Sequence, residues 1–351
     1  MNSAGSTEEI CAIYVDMGTT NTRVWLAHGY EILARGSKMV GVRDTARDGS
    51  TTRIQSALRE LITDLLTQIS TSAQDPPNCL AAAGMIGSPL GLAEVPHVSA
   101  PAGLLEIANA SRWFHFPEIT DLPFLLVPGV RSGPTAVDFD AVADVDAMRG
   151  EETLCLGLAK LNLVRPPAVV LNLGSHWKAI QFDIDGRIQS SVTSLSGELI
   201  QAVQTETVLA SSVSKEWPTK ISRRWMEEGM KAQRRSGLPR ALFCVRLLEL
   251  TGKGTQEDRF SFVLGAFVGA DLDALVARGI LVENVPVVVS GNEAIAEAWR
   301  EALQQRSVPA KVLTTDETEK AFLAGLRLIL CRVMDKPQDT NEGRVDCKPD
   351  H

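Results

Sequence analysis

Short apolar runs and one long amphipathic stretch set the pattern of the first hundred residues. Ala12-Ile13-Tyr14-Val15 is a continuous β-prone run, and Thr22-Arg23-Val24-Trp25-Leu26 alternates as a half-buried strand does. Residues 13–26 therefore predict two strands joined by the turn Asp16-Met17-Gly18-Thr19-Thr20-Asn21, and residues 32–42 could supply a third strand. Over residues 50–70, Ile54, Leu58, Leu61, Ile62, Leu65, Leu66 and Ile69 recur at three and four, which predicts a helix packing one face on a sheet. Asp75-Pro76-Pro77-Asn78 breaks that pattern. Residues 79–83 then read as a short buried strand running into Gly84-Met85-Ile86-Gly87-Ser88-Pro89-Leu90-Gly91. A stretch without regular pattern continues through Glu94, Pro96 and His97 to Gly103, and a loop of that length in a compact domain points to binding.

The second half opens on an acidic approach, residues 137–146, followed by Met148-Arg149-Gly150-Glu151-Glu152-Thr153 and a predicted helix over 151–161. A helix N-terminus receives phosphate or a hydroxyl favourably, and Asp144 and Asp146 could equally serve as its caps. Residues 168–173 predict a buried strand, Gly174-Ser175-His176-Trp177-Lys178 a turn, and the run to Phe182 a further strand, repeating the opening design. Asp185-Gly186 marks a hairpin, and a helix is expected through Val208. Residues 223–250 read as helical with a break near Gly237-Leu238-Pro239, and 260–275 as an apolar helix whose Gly265 and Gly269 predict close packing. Residues 285–289 form a predicted strand ending at Ser290-Gly291-Asn292 before a helix over 293–303. A strand at 311–313 and a helix at 317–332 follow. Residues 1–10 and the tail after Asp335 are polar and are read as frayed and disordered. Strand and helix alternating in this way predict an α/β protein.

Composition narrows the function classes. The 351 residues suffice for two domains, and 44% hydrophobic residues is ordinary for a globular chain. The first ten residues lack the basic and apolar regions of a signal peptide, and no segment has about 18 continuous apolar residues, so a cytoplasmic protein without a membrane partner is expected. A net charge of −8 argues against nucleic acid as the ligand. The six cysteines lack CxxC spacing and are expected to be reduced thiols. The oligomeric state is not readable. No GxxxxGK[ST] is present and no GxGxxG follows a strand, which sets aside P-loop kinases and dinucleotide enzymes. The chemistry that remains lies in the turns. A carboxylate at a strand end, then a glycine, hydroxyls and backbone N–H groups suit phosphate oxygens and hydrated magnesium, although the same residues also build ordinary hairpins. His176 and Lys178 likewise read either as a second phosphate turn or as a turn histidine and a solvated lysine.

The ordered set of DMGTTNTR from Asp16, GMIGSPLGLAEVPHVSAPAG over 84–103, DAMRGEET over 146–153, GSHWK over 174–178, SGEL over 196–199 and LFCVR over 242–246 resembles the 2-dehydro-3-deoxygalactonokinase family. That family belongs to the sugar kinase, heat-shock chaperone and actin superfamily. The resemblance implies two actin-like (ribonuclease H-like) domains, each a mixed sheet flanked by helices, closing on a nucleotide cleft. It places an N-terminal domain at 10–145, a second at 146–313, a C-terminal helix at 314–334 packing back on the first, and a disordered tail at 335–351. It implies ATP and Mg2+, with Asp16 holding the metal and Gly18, Thr19, Thr20, Gly174, Ser175 and His176 contacting phosphates. Gly291 and Asn292 would border the adenosine, and Asp146 would act as general base. Asn21, Arg23, Gly84, Met85, Glu94 and Arg149 would bind a small sugar acid. The chain departs from the family pattern at Met17, at Pro89-Leu90 and at Trp177-Lys178, which bears on which sugar acid is accepted. A nucleotide-binding regulatory protein that has lost sugar chemistry is the other class to test.

Overall fold

Cys11–Met17 forms β1 with every side chain but Asp16 buried, which places it inside a sheet. It pairs antiparallel with β2 (Thr22–His28), which pairs antiparallel with β3 (Glu31–Lys38). On its other side β1 runs parallel to β4 (Leu80–Gly84). The computed structural model of the chain describes residues 10–69 and 76–335; the ends read as frayed and disordered fall almost wholly in 1–9 and 336–351, outside the described residues.

The chain divides into two units, one holding the described residues up to Leu163 and from Lys320 on, the other Val164–Glu319. In the first, α1 (Val42–Asp48) follows β3 and α2 (Thr52–Ile69) lays Ile54, Leu58, Leu61, Ile62 and Leu65 into one core with Val24 and Leu26. Residues 39–42, read as the end of a strand, instead turn into α1, because the Asp44 carboxylate accepts the Gly41 N–H at 3.1 Å and starts a helix there. The stretch after β4 is less irregular than its pattern. It holds a turn of 3-10 helix (Met85–Gly87), the two-residue β5 (Val98–Ser99) and α3 (Leu104–Ala110). Strands β6 (Arg112–Phe116) and β7 (Thr120–Leu126) complete the main sheet in the order β3-β2-β1-β4-β7-β6. A small sheet joins β5 to β8 (Val130–Ser132) and β9 (Asp146–Met148), after which comes α4 (Glu151–Lys160).

The second unit repeats the plan. Strands β10 (Ala168–Leu173), β11 (Trp177–Phe182) and β12 (Ile188–Ser194) form an antiparallel set, followed by α5 (Ser196–Thr205), α6 (Arg223–Ser236), α7 (Leu238–Leu250) and α8 (Gln256–Ala277). Then β13 (Val287–Gly291), α9 (Glu293–Gln304) and β14 (Ala310–Val312) complete a sheet ordered β12-β11-β10-β13-β14. Both sheets thus share five strands in one order and with one set of senses: two antiparallel neighbours on one side of the central strand, parallel neighbours on the other. Each is an actin-like mixed sheet flanked by helices. Helix α8 is long and apolar enough to cross a membrane by length and composition, but Phe260, Val263, Leu264, Phe267, Val268 and Leu272 are buried in this unit's core. Gly265 sits against the Met226 backbone of α6, the close packing its spacing predicts.

The last helix, α10 (Thr315–Met334), enters the first unit at Lys320. There it crosses α4 at two glycines, with Gly157 against the Ala321 carbonyl and Gly325 against the Thr153 carbonyl. Strand β9 closes the small sheet of the first unit and α4 packs on α10, so residues 146–163 group with the first unit rather than with the second. Cys11, Cys79 and Cys155 are buried, and Cys244 and Cys331 half-buried.

Candidate active site

The β1–β2 turn is closed by the Gly18 N–H donating to the Asn21 carbonyl at 2.8 Å. It is held from behind by the start of α1, where the Val42 and Arg43 N–H groups donate to the Gly18 and Thr19 carbonyls at 3.3 and 2.9 Å. Gly41 makes that approach possible, since a methyl group there would stand 2.5 Å from the Thr19 oxygen and 2.6 Å from that of Gly18. With the carbonyls held at the back, Thr19 and Thr20 remain partly exposed at the front. The second unit builds its turn in the same way. The Glu198 N–H at the start of α5 donates to the Ser175 carbonyl at 2.8 Å, and Gly197 lies against the Gly174 and Ser175 oxygens. The start of α5 is itself anchored: Ser194 and Ser196 donate to the Asp271 carboxylate of α8 at 2.6 and 2.8 Å.

The strand registers add the remaining groups. Met17 pairs with Gly84, as Leu173 pairs with Gly291 in the second unit. Asn292 caps α9, its side-chain oxygen accepting from the Ala294 and Ile295 N–H groups at 3.1 and 3.3 Å. His176 Nε2 lies 3.6 Å from a Glu198 carboxylate oxygen. Asp16, one residue before Met17, faces Arg23 across the hairpin, with Nη1 3.8 Å from its carboxylate. Burial pushes the Asp16 carboxyl up to about 6; Arg23 opposes this and the charge of Glu151 adds to it.

Glu151 is brought there by the contact of two glycines distant in sequence, Gly84 and Gly150. Gly84 ends β4 at φ 89°, and a methyl group on Gly150, at φ 103°, would stand 3.3 Å from the Gly84 Cα. The backbone before α4 therefore rests on the end of β4, beside Asp16. The Gly150 N–H donates to both oxygens of Glu152 at 2.9 and 2.8 Å, and the Thr153 hydroxyl to one of them at 3.2 Å. Glu152 is wholly buried, and burial together with Glu151 pushes its carboxyl up to about 8. One oxygen of Glu151, Oε2, is buried without a hydrogen-bond partner.

Arg149 reaches the other way, into the loop 84–103. Its Nη2 donates to the Val95 carbonyl at 2.9 Å and lies 3.4 Å from His97 Nδ1, while Nη1 is buried without a partner beside Gly87. Burial lowers the Arg149 pKa, and Glu152 and Glu94 oppose that. Met85 is half-buried and Glu94 exposed on this loop, and Pro89-Leu90 form an exposed turn.

The first unit thus joins Asp16, Gly18, Thr19, Thr20, Asn21, Arg23, Gly84, Met85, Glu94 and Arg149 through one hairpin, one loop and the approach to α4. The second unit joins Gly174, Ser175 and His176 to Gly291 and Asn292. Asp146 lies on β9 opposite Ser132, so the cap of α4 is Gly150 and neither Asp144 nor Asp146. Glu151, Glu152 and His97 were not singled out from sequence; the one signal was two acids directly behind a glycine at the start of an apolar helix. Asp16 brings a carboxylate to a strand end beside the partly exposed Thr19 and Thr20, and one carboxylate with hydroxyls around it fits a hydrated divalent cation, which keeps several of its waters.

The family model of 2-keto-3-deoxy-galactonokinases matches residues 16–329 of this chain. The chain is 25% identical over 312 residues to a protein of Rhizobium meliloti (strain 1021) assigned by name as a 2-dehydro-3-deoxygalactonokinase, covering 88% of this chain and 94% of that one. It is 24% identical over 320 residues to the 2-dehydro-3-deoxygalactonokinase of Escherichia coli (strain K12), covering 90% and 96%. A crystal structure from Sinorhizobium meliloti, titled for the same activity, superposes with a TM-score of 0.73 at 22% identity, over 94% of this chain and 99% of that one. That last likeness shows a shared fold.

Proposed function

The chain belongs to the 2-keto-3-deoxy-galactonokinase family, and from that premise we propose that it is a carbohydrate kinase transferring the γ-phosphoryl group of ATP to a 2-keto-3-deoxy sugar acid. The acceptor we assign is 2-dehydro-3-deoxy-D-galactonate, the product its 6-phosphate, and the setting cytoplasmic sugar-acid catabolism. The observation that carries the reading is the pair of turns, each backed by a helix start and a glycine that leaves no room for a side chain. Such turns direct backbone N–H groups and hydroxyls forward, where phosphate oxygens bind.

In this reading Gly18, Thr19 and Thr20 of the first unit contact the phosphates, as do Gly174, Ser175 and His176 of the second, and Gly291 with Asn292 borders the adenosine. Asp16 would hold Mg2+, which supplies charge neutralisation for the transferring group. Asn21, Gly84, Met85 and Glu94 bind the sugar acid, and the cation for its carboxylate comes from Arg149 or Arg23. The proton of the attacking hydroxyl passes to a carboxylate of the first unit, for which Asp146 and Glu151 are the candidates. Phosphoryl transfer needs positioning and charge neutralisation more than covalent help, so these groups act mainly by placing the hydroxyl in line with the γ-phosphorus.

Coupled ADP release with MgATP, measured across 2-keto-3-deoxy sugar acids and ordinary aldoses, tests the reading. ADP release that depends on a keto-deoxy acid is the expected result. ATP binding with no acceptor-dependent release from any panel member would turn the assignment towards a regulatory protein of the same fold.

A further inference from the structure

We propose that Glu151, the first residue of α4, is the group that accepts the proton of the sugar hydroxyl. The assignment rests on the kinase reading and selects between its two candidate carboxylates. Three observations carry it. Gly84 is the meeting point of the phosphate turn and the start of α4, because its backbone abuts Met17 and Asp16 on one side and Gly150 on the other. The Asp16 turn and the start of α4 that carries Glu151 therefore flank one buried point of the fold, the end of β4. Arg149, two residues before Glu151, reaches into the loop 84–103 through Val95 and His97, so the segment carrying Glu151 is the one that engages the sugar loop. Finally, Glu151 keeps a buried oxygen with no hydrogen-bond partner, which leaves it acceptor capacity. Asp146 has a different setting, on an edge strand of the small sheet opposite Ser132.

The two carboxylates divide the work. Asp16, in the phosphate turn, would hold the metal; Glu151, on the segment whose Arg149 reaches the loop 84–103, serves the acceptor. As the hydroxyl oxygen forms its bond to the γ-phosphorus, its O–H bond breaks and the proton passes to the Glu151 carboxylate. The bond from the γ-phosphorus to the bridging oxygen breaks at the same time, and its electron pair leaves on the β-phosphate of ADP. Glu152 acts through the backbone, holding the Gly150 N–H and thereby the direction in which α4 starts.

The test compares Glu151→Gln, Glu151→Asp, Asp146→Asn and Asp16→Asn in the full chain, following kcat and both KM values together with Mn2+ binding in the presence of ADP by electron paramagnetic resonance. For Glu151→Gln the expected result is a fall in kcat of about 10²–10⁴-fold, the usual scale of general-base loss, with both KM values and Mn2+ binding close to wild type. Glu151→Asp should recover part of the rate, and Asp16→Asn should lose Mn2+ binding. Glu151→Gln retaining its kcat while Asp146→Asn loses it would overturn the assignment, as would loss of Mn2+ binding in Glu151→Gln. Wild-type protein that releases no ADP with any sugar acid would instead overturn the kinase reading, and this assignment with it.

Discussion

Gly84 lies so close to Met17 across the β1–β4 pair that a methyl group on it would run into the Met17 carbonyl oxygen. Its φ of 89° adds to the constraint, since L side chains rarely adopt that conformation. Gly84→Ala should therefore strain the end of β4 by about 1–3 kcal/mol from backbone conformation alone. The strain falls beside Asp16 and Gly150, so kcat should drop more than stability does. Thermal melting and steady-state kinetics on the same preparation check this; an active, unshifted variant would show that the strands separate freely here.

Arg149 has one guanidinium nitrogen on the Val95 carbonyl and another buried without a partner. A carboxylate offered by an acid substrate would complete that pairing. Charge-assisted hydrogen bonds contribute about 1.5–3 kcal/mol, so Arg149→Met should raise KM for the sugar acid on the order of 10- to 100-fold. KM for ATP should stay near wild type. Equal losses for both substrates would place Arg149 in the scaffold instead.

Gly197 occupies in the second unit the place Gly41 holds in the first, with its Cα against the carbonyls of the turn ahead. In Gly197→Ala the new methyl would push on the Gly174 and Ser175 oxygens and displace the turn. Misplacement by about 1 Å costs on the order of 100-fold in such sites, so KM for ATP should rise steeply while sugar-acid binding, followed by calorimetry without nucleotide, is retained.

How far this was legible in the sequence depended on the range of each interaction. The β1–β2 and β10–β11 hairpins and helices α2, α8 and α9 were readable because their apolar periodicity is local. Helix α1 was not: VRDTARD is mostly polar, and its start depends on the Asp44 carboxylate reaching the Gly41 N–H. The sheet β5-β8-β9 was missed as well, since strands of two and three residues paired with non-neighbouring segments leave no periodic trace. Asp16 showed itself through the turn around it. Glu151 did not, because what brings it to Asp16 is the contact of Gly150 with Gly84, some 66 positions apart.

Glu152 gives the first unit a dependence on pH. Its carboxyl is raised from an ordinary 4.5 to about 8, so between these values the folded protein binds a proton that the unfolded chain releases. Stability should therefore be highest on the acid side of this window and fall as pH rises through about 8. In Glu152→Gln an amide oxygen still accepts the Gly150 N–H and carries no charge. The variant should match wild type near pH 5 and exceed it near pH 8 in urea titrations. Parallel pH profiles for the two proteins would show that Glu152 is not the source of the slope.

Helix α4 begins with Glu151, directly after its cap Gly150, and is held by the crossing with α10. Gly157 and Gly325 face each other's helices so closely that a methyl group on either would run into a backbone carbonyl, of Ala321 or of Thr153. Neither oxygen belongs to a flexible side chain, so the helices must separate to admit one. Overpacking of this kind costs about 1–3 kcal/mol, and a clash with backbone on a crossing this tight belongs at the upper end. Gly157→Ala should lower the urea midpoint accordingly. Lys160→Ala, an exposed change on the same helix, should stay within about 0.5 kcal/mol. Because α4 would shift as a body, Gly157→Ala should also lower kcat although it lies two turns from Glu151, and a fall in stability without any fall in kcat would mean that the helix yields at its C-terminal end alone.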